Sequence, residues 1–293
     1  MIRSLFCRWG AALAVLAFAA MLLPSAALAD SSLAAIKQRG VIKIGVKYDN
    51  PGFGYLDPKG GSEPVGFEID LAREIAKRIL GDPKKVQFTQ VISSNRIPQV
   101  QNGDIDMFIA TATITPPRLD QINFSNVYYM AGQSLLVKKS SPIAKYADLA
   151  GKAVCTAKGS TPEVTIKKLV PTATVDTFDG YAPCLQAVLQ GRDEAITTDN
   201  TILLGFEDQY PKDLKMVGGL FTYEPYGAGI AKGNDTLTKA VNDALTSIGN
   251  DGTFAKIHEK WMHEPPPANW KTWYGMSAVK GAELFANQAA EKK

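Results

Sequence analysis

Side chains able to do covalent chemistry are few and poorly spaced in this chain of 293 residues. Both histidines stand in HEKWMH, residues 258–263. A zinc-protease helix needs its second histidine on the same face one turn after the first; Met262 holds that place and His263 comes one residue late. The segment reads as a solvated helix end. No GxSxG nucleophile elbow and no phosphate-binding GxxxxGK[ST] occurs, and Gly227, Gly229 and Gly233 miss the dinucleotide-binding spacing by one residue. Asp104 and Asp106 could be imagined as an acid and a base, but GDID reads as a turn feeding a strand.

What remains suits recognition of a small charged molecule. Arg118 follows ATATIT, where alternate residues Thr111 and Thr113 project on one side of a strand end. Its guanidinium can grip a carboxylate with two parallel hydrogen bonds. Taken alone it is equally a solvent-facing arginine after a turn. Arg96 closes SSNR (93–96) beside a predicted helix start, where the partial positive charge of the helix N-terminus disfavours a cation. Ser160-Thr161-Pro162-Glu163 fits another helix start, with Ser160 and Glu163 spaced as a capping box or Thr161 as cap before Pro162. Free N–H groups there favour an anion. Asp199 ends the strand-like AITTD; a surface aspartate in a turn is the alternative.

The elements that must position these residues alternate. Strand-like VIKIGVK (41–47), KVQFTQVI (85–92) and IDMFIATAT (105–113) are interleaved with helical segments, which implies an α/β protein with largely parallel sheet. In the helical segment 66–80, Phe67, Ile69, Leu71, Ile75 and Ile79 keep close to a 3.6-residue period, and Glu68, Asp70, Arg73, Glu74 and Lys77 are assigned to the solvent face. A second succession of the same kind begins after LLVKK (135–139), so the chain divides into two α/β lobes. YGAGIAKG (226–233) is again strand-like and leads into a helical stretch ending near Trp261. Pro265, Pro266 and Pro267 cannot continue a helix, and 265–293 is expected to be an appendage or flexible tail.

Residues 1–29 carry Arg3 and Arg8, an apolar run and the small residues Ala27 and Ala29, the pattern of a cleaved secretory signal peptide. The apolar run is too short for a bilayer span. Losing two arginines brings the net charge of +3 close to balance, which leaves no basic field for nucleic acid or an anionic membrane. Cys155 and Cys184 survive as a pair, read first as a disulfide in an exported protein, with a metal pair as the weaker alternative. No cofactor or metal is expected.

A more specific reading comes from GVIKIGVKYDNPGFGY (40–55), PVGFEIDLAREIAKRI (64–79), NGDIDMFIATATITPPR (102–118), INFSNVYYMAGQSLLVKK (122–139), DLAGKAVCTAKGSTPE (148–163), YAPCLQAVLQGRDEAITTDN (181–200) and DGTFAKIHEKW (251–261). In this order they resemble the periplasmic solute-binding proteins of polar-amino-acid ABC importers, the acidic-amino-acid binders most of all. The resemblance implies a two-lobed periplasmic-binding-protein-like fold (type II) with two hinge crossings and a ligand cleft between the lobes. Lobe 1 would comprise 30–134 and 229–264, and lobe 2 would comprise 135–228. It implies a monomer in the periplasm that delivers an amino acid to the permease subunits of an ABC transporter.

The same resemblance assigns roles. Arg118 would hold the α-carboxylate, helped by the hydroxyl and N–H of Thr113; strand alternation adds Thr111, and the helix start at Ser160 and Thr161 adds an anion-favouring terminus from the second lobe. Asp199 would pair with the α-ammonium. Lys47 and Arg96 would meet a distal carboxylate, with Ser93 and Tyr181 as neighbours; Tyr181 stands where some members carry histidine. Phe53 and Tyr55 would form an apolar wall or belong to the core. Pro117 departs from a glutamate common in the family. With Arg118 and Asp199 spent on the α-groups, two cations remain, and burying them unpaired is costly. L-glutamate or L-aspartate is therefore the expected ligand. A binder of glutamine, asparagine or another polar amino acid is the alternative, as is an exported cyclohexadienyl-type dehydratase on the same fold.

Overall fold

A computed structural model describes residues 32–288. The expected signal peptide lies outside the described residues. Two five-stranded sheets organise the chain. The first runs Val86–Gln90, Ile42–Val46, Met107–Phe108, Gly229–Ala231, Ile122–Phe124; the second runs Thr174–Phe178, Ala153–Ala157, Ala195–Asp199, Gln133–Lys138, Leu214–Val217. Ile42–Val46 is parallel to both of its neighbours, as is Ala153–Ala157. The sheets are nonetheless mixed, because Gly229–Ala231 and Gln133–Lys138 each run antiparallel to the strands beside them.

Those two antiparallel strands share an origin. Each follows a segment that crosses between the lobes: Tyr129–Ala131 leads into Gln133–Lys138, and Glu224–Tyr226 leads into Gly229–Ala231. The crossings pair antiparallel, Tyr129 opposite Tyr226. A chain entering a lobe from the hinge joins its sheet without a helical crossover, so it is free of the parallel constraint.

In the second sheet alternate residues face opposite sides. Leu136, Cys155 and Ile196 enter one apolar cluster, and Leu135, Val137, Val154 and Ala195 enter another. Helices cover both. Tyr181–Leu189 is tied to the first cluster by the Cys155–Cys184 disulfide, with Cα atoms 5.7 Å apart, and Thr161–Leu169 sends Ile166 into the second.

In the first lobe the helix Phe67–Leu80 packs against the helices Asp235–Asn250 and Thr253–Met262. Glu68 belongs to its buried face, contrary to expectation. It is spaced with Ala72 and Ile75, so the inward stripe passes through it. His258 is also buried, 14° from parallel with the ring of Tyr129, and its Nδ1 lies 2.9 Å from the Glu264 carbonyl oxygen. Glu259, Lys260 and His263 fit the solvated helix end, and His258 does not. Asp106, rejected as a catalytic acid, accepts from Lys43 N at 2.7 Å and pairs with Arg39.

Residues 265–288 fold back rather than trail away. Trp270 stacks on Phe254 with centroids 4.6 Å apart, the Tyr274 hydroxyl donates to Leu245 O at 2.8 Å, and Trp273 and Ala282 are buried in the first-lobe core. Gly275 N donates to Val127 O, and Val127 N donates to Met276 O, both at 2.8 Å. The helix Ala278–Asn287 then lies against Pro116–Gln121 and the second crossing strand.

Candidate functional site

The residues of interest gather where strands end. Ile42–Val46 delivers Lys47, Met107–Phe108 leads to Thr111 and Thr113, Ala153–Ala157 leads to Ser160, and Ala195–Asp199 ends on Asp199. In α/β sheets the carboxyl ends of parallel strands are the usual ligand-binding edge. Here the edges of the two lobes meet. Arg118 Nη1 donates to Thr113 O at 2.8 Å while Nη2 reaches Gly159 O of the second lobe at 3.1 Å. The hydroxyls of Thr113 and Thr161 are 3.3 Å apart across the same gap.

Three cations converge. Lys47 has no solvent exposure; its Nζ donates to Ser93 Oγ at 3.2 Å and lies 5.7 Å from the Tyr181 ring. Burial pushes its pKa down to about 8. Arg96 is the first residue of the helix Arg96–Gln101 and is 2% exposed. Its Nη1 donates to Ala110 O at 2.5 Å and to Thr111 O at 3.3 Å, whereas its buried Nε has no partner. Those carbonyls offset the misfit of a cation at a helix start. Arg118 is half-buried, and desolvation followed by the Arg96 charge works against its ionisation.

Three buried carboxylates lie close enough to act on these cations through their charge. Asp199 accepts from the Tyr226 hydroxyl at 2.5 Å, while its buried Oδ1 has no partner. Burial raises its pKa. Glu68 Oε1 accepts from Tyr128 OH at 2.5 Å and from Thr111 N at 2.6 Å, and burial pushes its pKa up to about 7. Glu224 accepts from Thr113, Thr161 and Thr222, and burial followed by the Asp199 charge raises its pKa.

Thr111 carries a backbone strain, φ +45°, unusual for a β-branched residue. Glu68 holds its N–H, Arg96 reaches its carbonyl, and Asn50 Nδ2 donates to its hydroxyl at 3.2 Å. This turn ends the first-sheet strand at Phe108, short of the expected Thr113. Strain held by several partners is typical of functional sites.

Ser160 is the N-cap of Thr161–Leu169, its Oγ accepting from Glu163 N at 3.3 Å. The Glu163 carboxylate reaches back to Gly159 N at 2.8 Å, one residue before the cap. Tyr181 is buried and lies against Ser160 and Thr198. Phe53 is different. Its ring is wholly buried, 5.3 Å from Phe67 and 5.1 Å from Tyr129, in the packing of a core residue rather than a cleft wall. Tyr55 is half-buried and pairs with Asp49 and Val65 through its backbone.

Sequence reasoning missed Glu68, Glu224, Tyr226 and Asp49. Glu68 was readable from its spacing with Ala72 and Ile75. The Glu224 strand has only three residues, too short for a periodic signal.

Known proteins share the sequence and the fold of this chain. The chain is 46% identical over 236 residues to an ABC transporter glutamine-binding protein of Bacillus subtilis, covering 80% of this chain and 86% of that one. It is 35% identical over 268 residues to a glutamate-binding protein of Corynebacterium glutamicum, covering 86% and 89%. The structure of an ancestral arginine-binding protein bound to glutamine superposes with a TM-score of 0.73 at 41% identity, over 77% of this chain and 99% of that chain. Residues 42–264 match one family throughout, and the protein accordingly belongs to the bacterial extracellular solute-binding proteins, family 3.

Proposed function

We propose that this protein captures L-glutamate or L-aspartate between its lobes, outside the cytoplasmic membrane, and delivers it as a monomer to the permease of an ABC importer. In this reading residues 1–29 export the chain. Lobe 1 is 30–134 with 229–264, and lobe 2 is 135–228. Arg118 and the N-terminus of Thr161–Leu169 meet the α-carboxylate, and Asp199 meets the α-ammonium through its unpartnered oxygen.

One observation carries the acidic preference. Lys47 and Arg96 are both buried, and the atoms they donate to are neutral oxygens. A second carboxylate on the ligand satisfies both and removes the cost of unpaired buried charge. Closure follows because only a ligand touching both lobes binds the shut form better than the open one.

Glutamine is the second reading. Glu68 and Glu224, if ionised together with Asp199, would balance the three cations and leave room for a neutral side chain; two relatives named as glutamine-binding share 46% and 44% identity with this chain. Calorimetric titration of the unfolded, dialysed and refolded protein with the common amino acids separates the readings. Tightest one-to-one binding of glutamate or aspartate is expected. Glutamine binding more tightly than either would overturn the acidic assignment.

A further inference from the structure

Glu224 has no role in the recognition scheme above, although it lies at its centre. The second crossing strand carries it, and the adjoining backbone is laced to the first lobe: Ile114 N donates to Pro225 O at 2.7 Å and Gly227 N to Ala112 O at 3.0 Å. This pairing sets Glu224 beside Thr113. Its Oε2 accepts from Thr113 Oγ1 at 2.6 Å and from Thr161 Oγ1 at 2.9 Å, and its Oε1 accepts from Thr222 Oγ1 at 2.9 Å. Thr222 Oγ1 in turn accepts from Gln133 N, at the exit of the first crossing, at 2.7 Å. One carboxylate thus joins a hydroxyl from each lobe to both hinge segments.

We propose that Glu224 is a positioning residue: it takes the hydroxyl protons of Thr113 and Thr161, links lobe closure to the hinge, and leaves both hydroxyls facing the ligand as acceptors. A threonine hydroxyl has one proton to give. Committed to Glu224, it can only receive from the ligand, which suits an ammonium and not a carboxylate. The help to the α-carboxylate given above to Thr113 then falls to its N–H and not to its hydroxyl. The Thr161 link joins the two lobes, so it forms only when the cleft shuts. The charged groups facing Glu224 are Asp199 and Arg118. The inference rests on amino-acid binding in this cleft but not on which amino acid is bound.

The test compares wild type with Glu224→Gln, which keeps shape but replaces an acceptor oxygen with an NH2 donor. Dissociation constants for L-glutamate, L-aspartate and L-glutamine are measured on the acid and alkaline sides of Glu224's raised pKa, using the tightest wild-type binder for the comparison. The variant is expected to bind about tenfold more weakly in alkali, where the wild-type carboxylate is ionised, and nearly as well in acid. Thr161→Val should weaken wild type several-fold and the variant hardly at all. A variant-to-wild-type ratio that does not change with pH, or additive effects of the two substitutions, would overturn the proposal. The rank order of the three ligands tests the acidic reading separately, and failure of every common amino acid to bind wild type would overturn both.

Discussion

Asp49 of the first lobe accepts a hydrogen bond from the backbone N–H of Tyr181 in the second, Oδ2 to N 2.9 Å. Tyr181 is the first residue of the helix Tyr181–Leu189, so the carboxylate sits at a helix N-terminus, where the macrodipole favours it. The approach is close: a Cβ on Gly180 would lie 2.6 Å from that same oxygen. The Asp49 carboxylate bonds the backbone of Tyr181 and acts on Lys47 through its charge, and so fastens the cleft shut from its rim.

Removing this contact should therefore weaken binding by loosening closure. Asp49→Ala is expected to cost on the order of 1 kcal/mol, about fivefold in affinity, since the group is partly solvated. The loss should appear in the dissociation rate. Gly180→Ala should act in the same direction by pushing the carboxylate away. Stopped-flow measurement of ligand release checks both, and unchanged release from Asp49→Ala would show that the rim contact is dispensable.

Lys47 predicts a pH dependence that separates the two ligand readings. Burial depresses its pKa to about 8 in the protein without ligand. A ligand carboxylate stabilises the ammonium and raises that pKa, so binding takes up a proton when the solution is above about 8. Affinity for an acidic amino acid should be full below that point and fall as pH rises through it, by up to about tenfold per pH unit. Glutamine should show little of this slope. Lys47→Met should abolish it, and titrations of both ligands across this range supply the measurement.

The two cleft arginines should fail differently. Arg118→Ala removes the group proposed for the α-carboxylate and is expected to cost any amino acid more than about 3 kcal/mol. Arg96→Ala should cost glutamate about a hundredfold and glutamine much less. Since Arg96 also satisfies the carbonyls of Ala110 and Thr111, its removal lowers stability as well. The ratio of glutamate to glutamine affinity is the informative quantity. A ratio unchanged by Arg96→Ala would remove the basis for acidic preference.

These arginines also mark what could be read in advance. The order of strands and helices follows from hydrophobic period, and the helix Phe67–Leu80 was expected within one residue of its ends. Arg96, Arg118, Ser160 and Asp199 drew attention because each stands at an element boundary. Glu68 escaped because a charged residue was assigned by type to the solvent face, although its period placed it inside. Glu224 escaped for a different reason. Its partners across the cleft, Thr113 and Thr161, are 111 and 63 residues away in sequence, and no local pattern reports a contact made only when two lobes meet. The mixed sheets were hidden likewise, since strand direction there is decided by the hinge crossings.

The C-terminal segment yields the last prediction. Prolines 265–267 correctly end the preceding helix, but the aromatic residues that follow have a destination. Trp270 and Tyr274 cover Phe254, which is itself packed edge-on to Phe67 at 5.9 Å. Gln288 Nε2 donates to Tyr223 O at 3.2 Å, and Tyr223 N donates back to its amide oxygen, just ahead of the second crossing strand. Truncation after Glu264 should therefore expose apolar surface on the first lobe and release one side of the hinge. Trp270→Ala alone should destabilise by about 2 kcal/mol, less than a fully buried tryptophan because it is half-exposed. Trp270→Phe, which can still stack, should recover most of the loss. Urea unfolding of the ligand-free proteins measures this. Equal stability of the truncated and full chains would mean that the segment only rests on the lobe, whereas a loss matched by faster ligand release would tie it to the hinge through Tyr223.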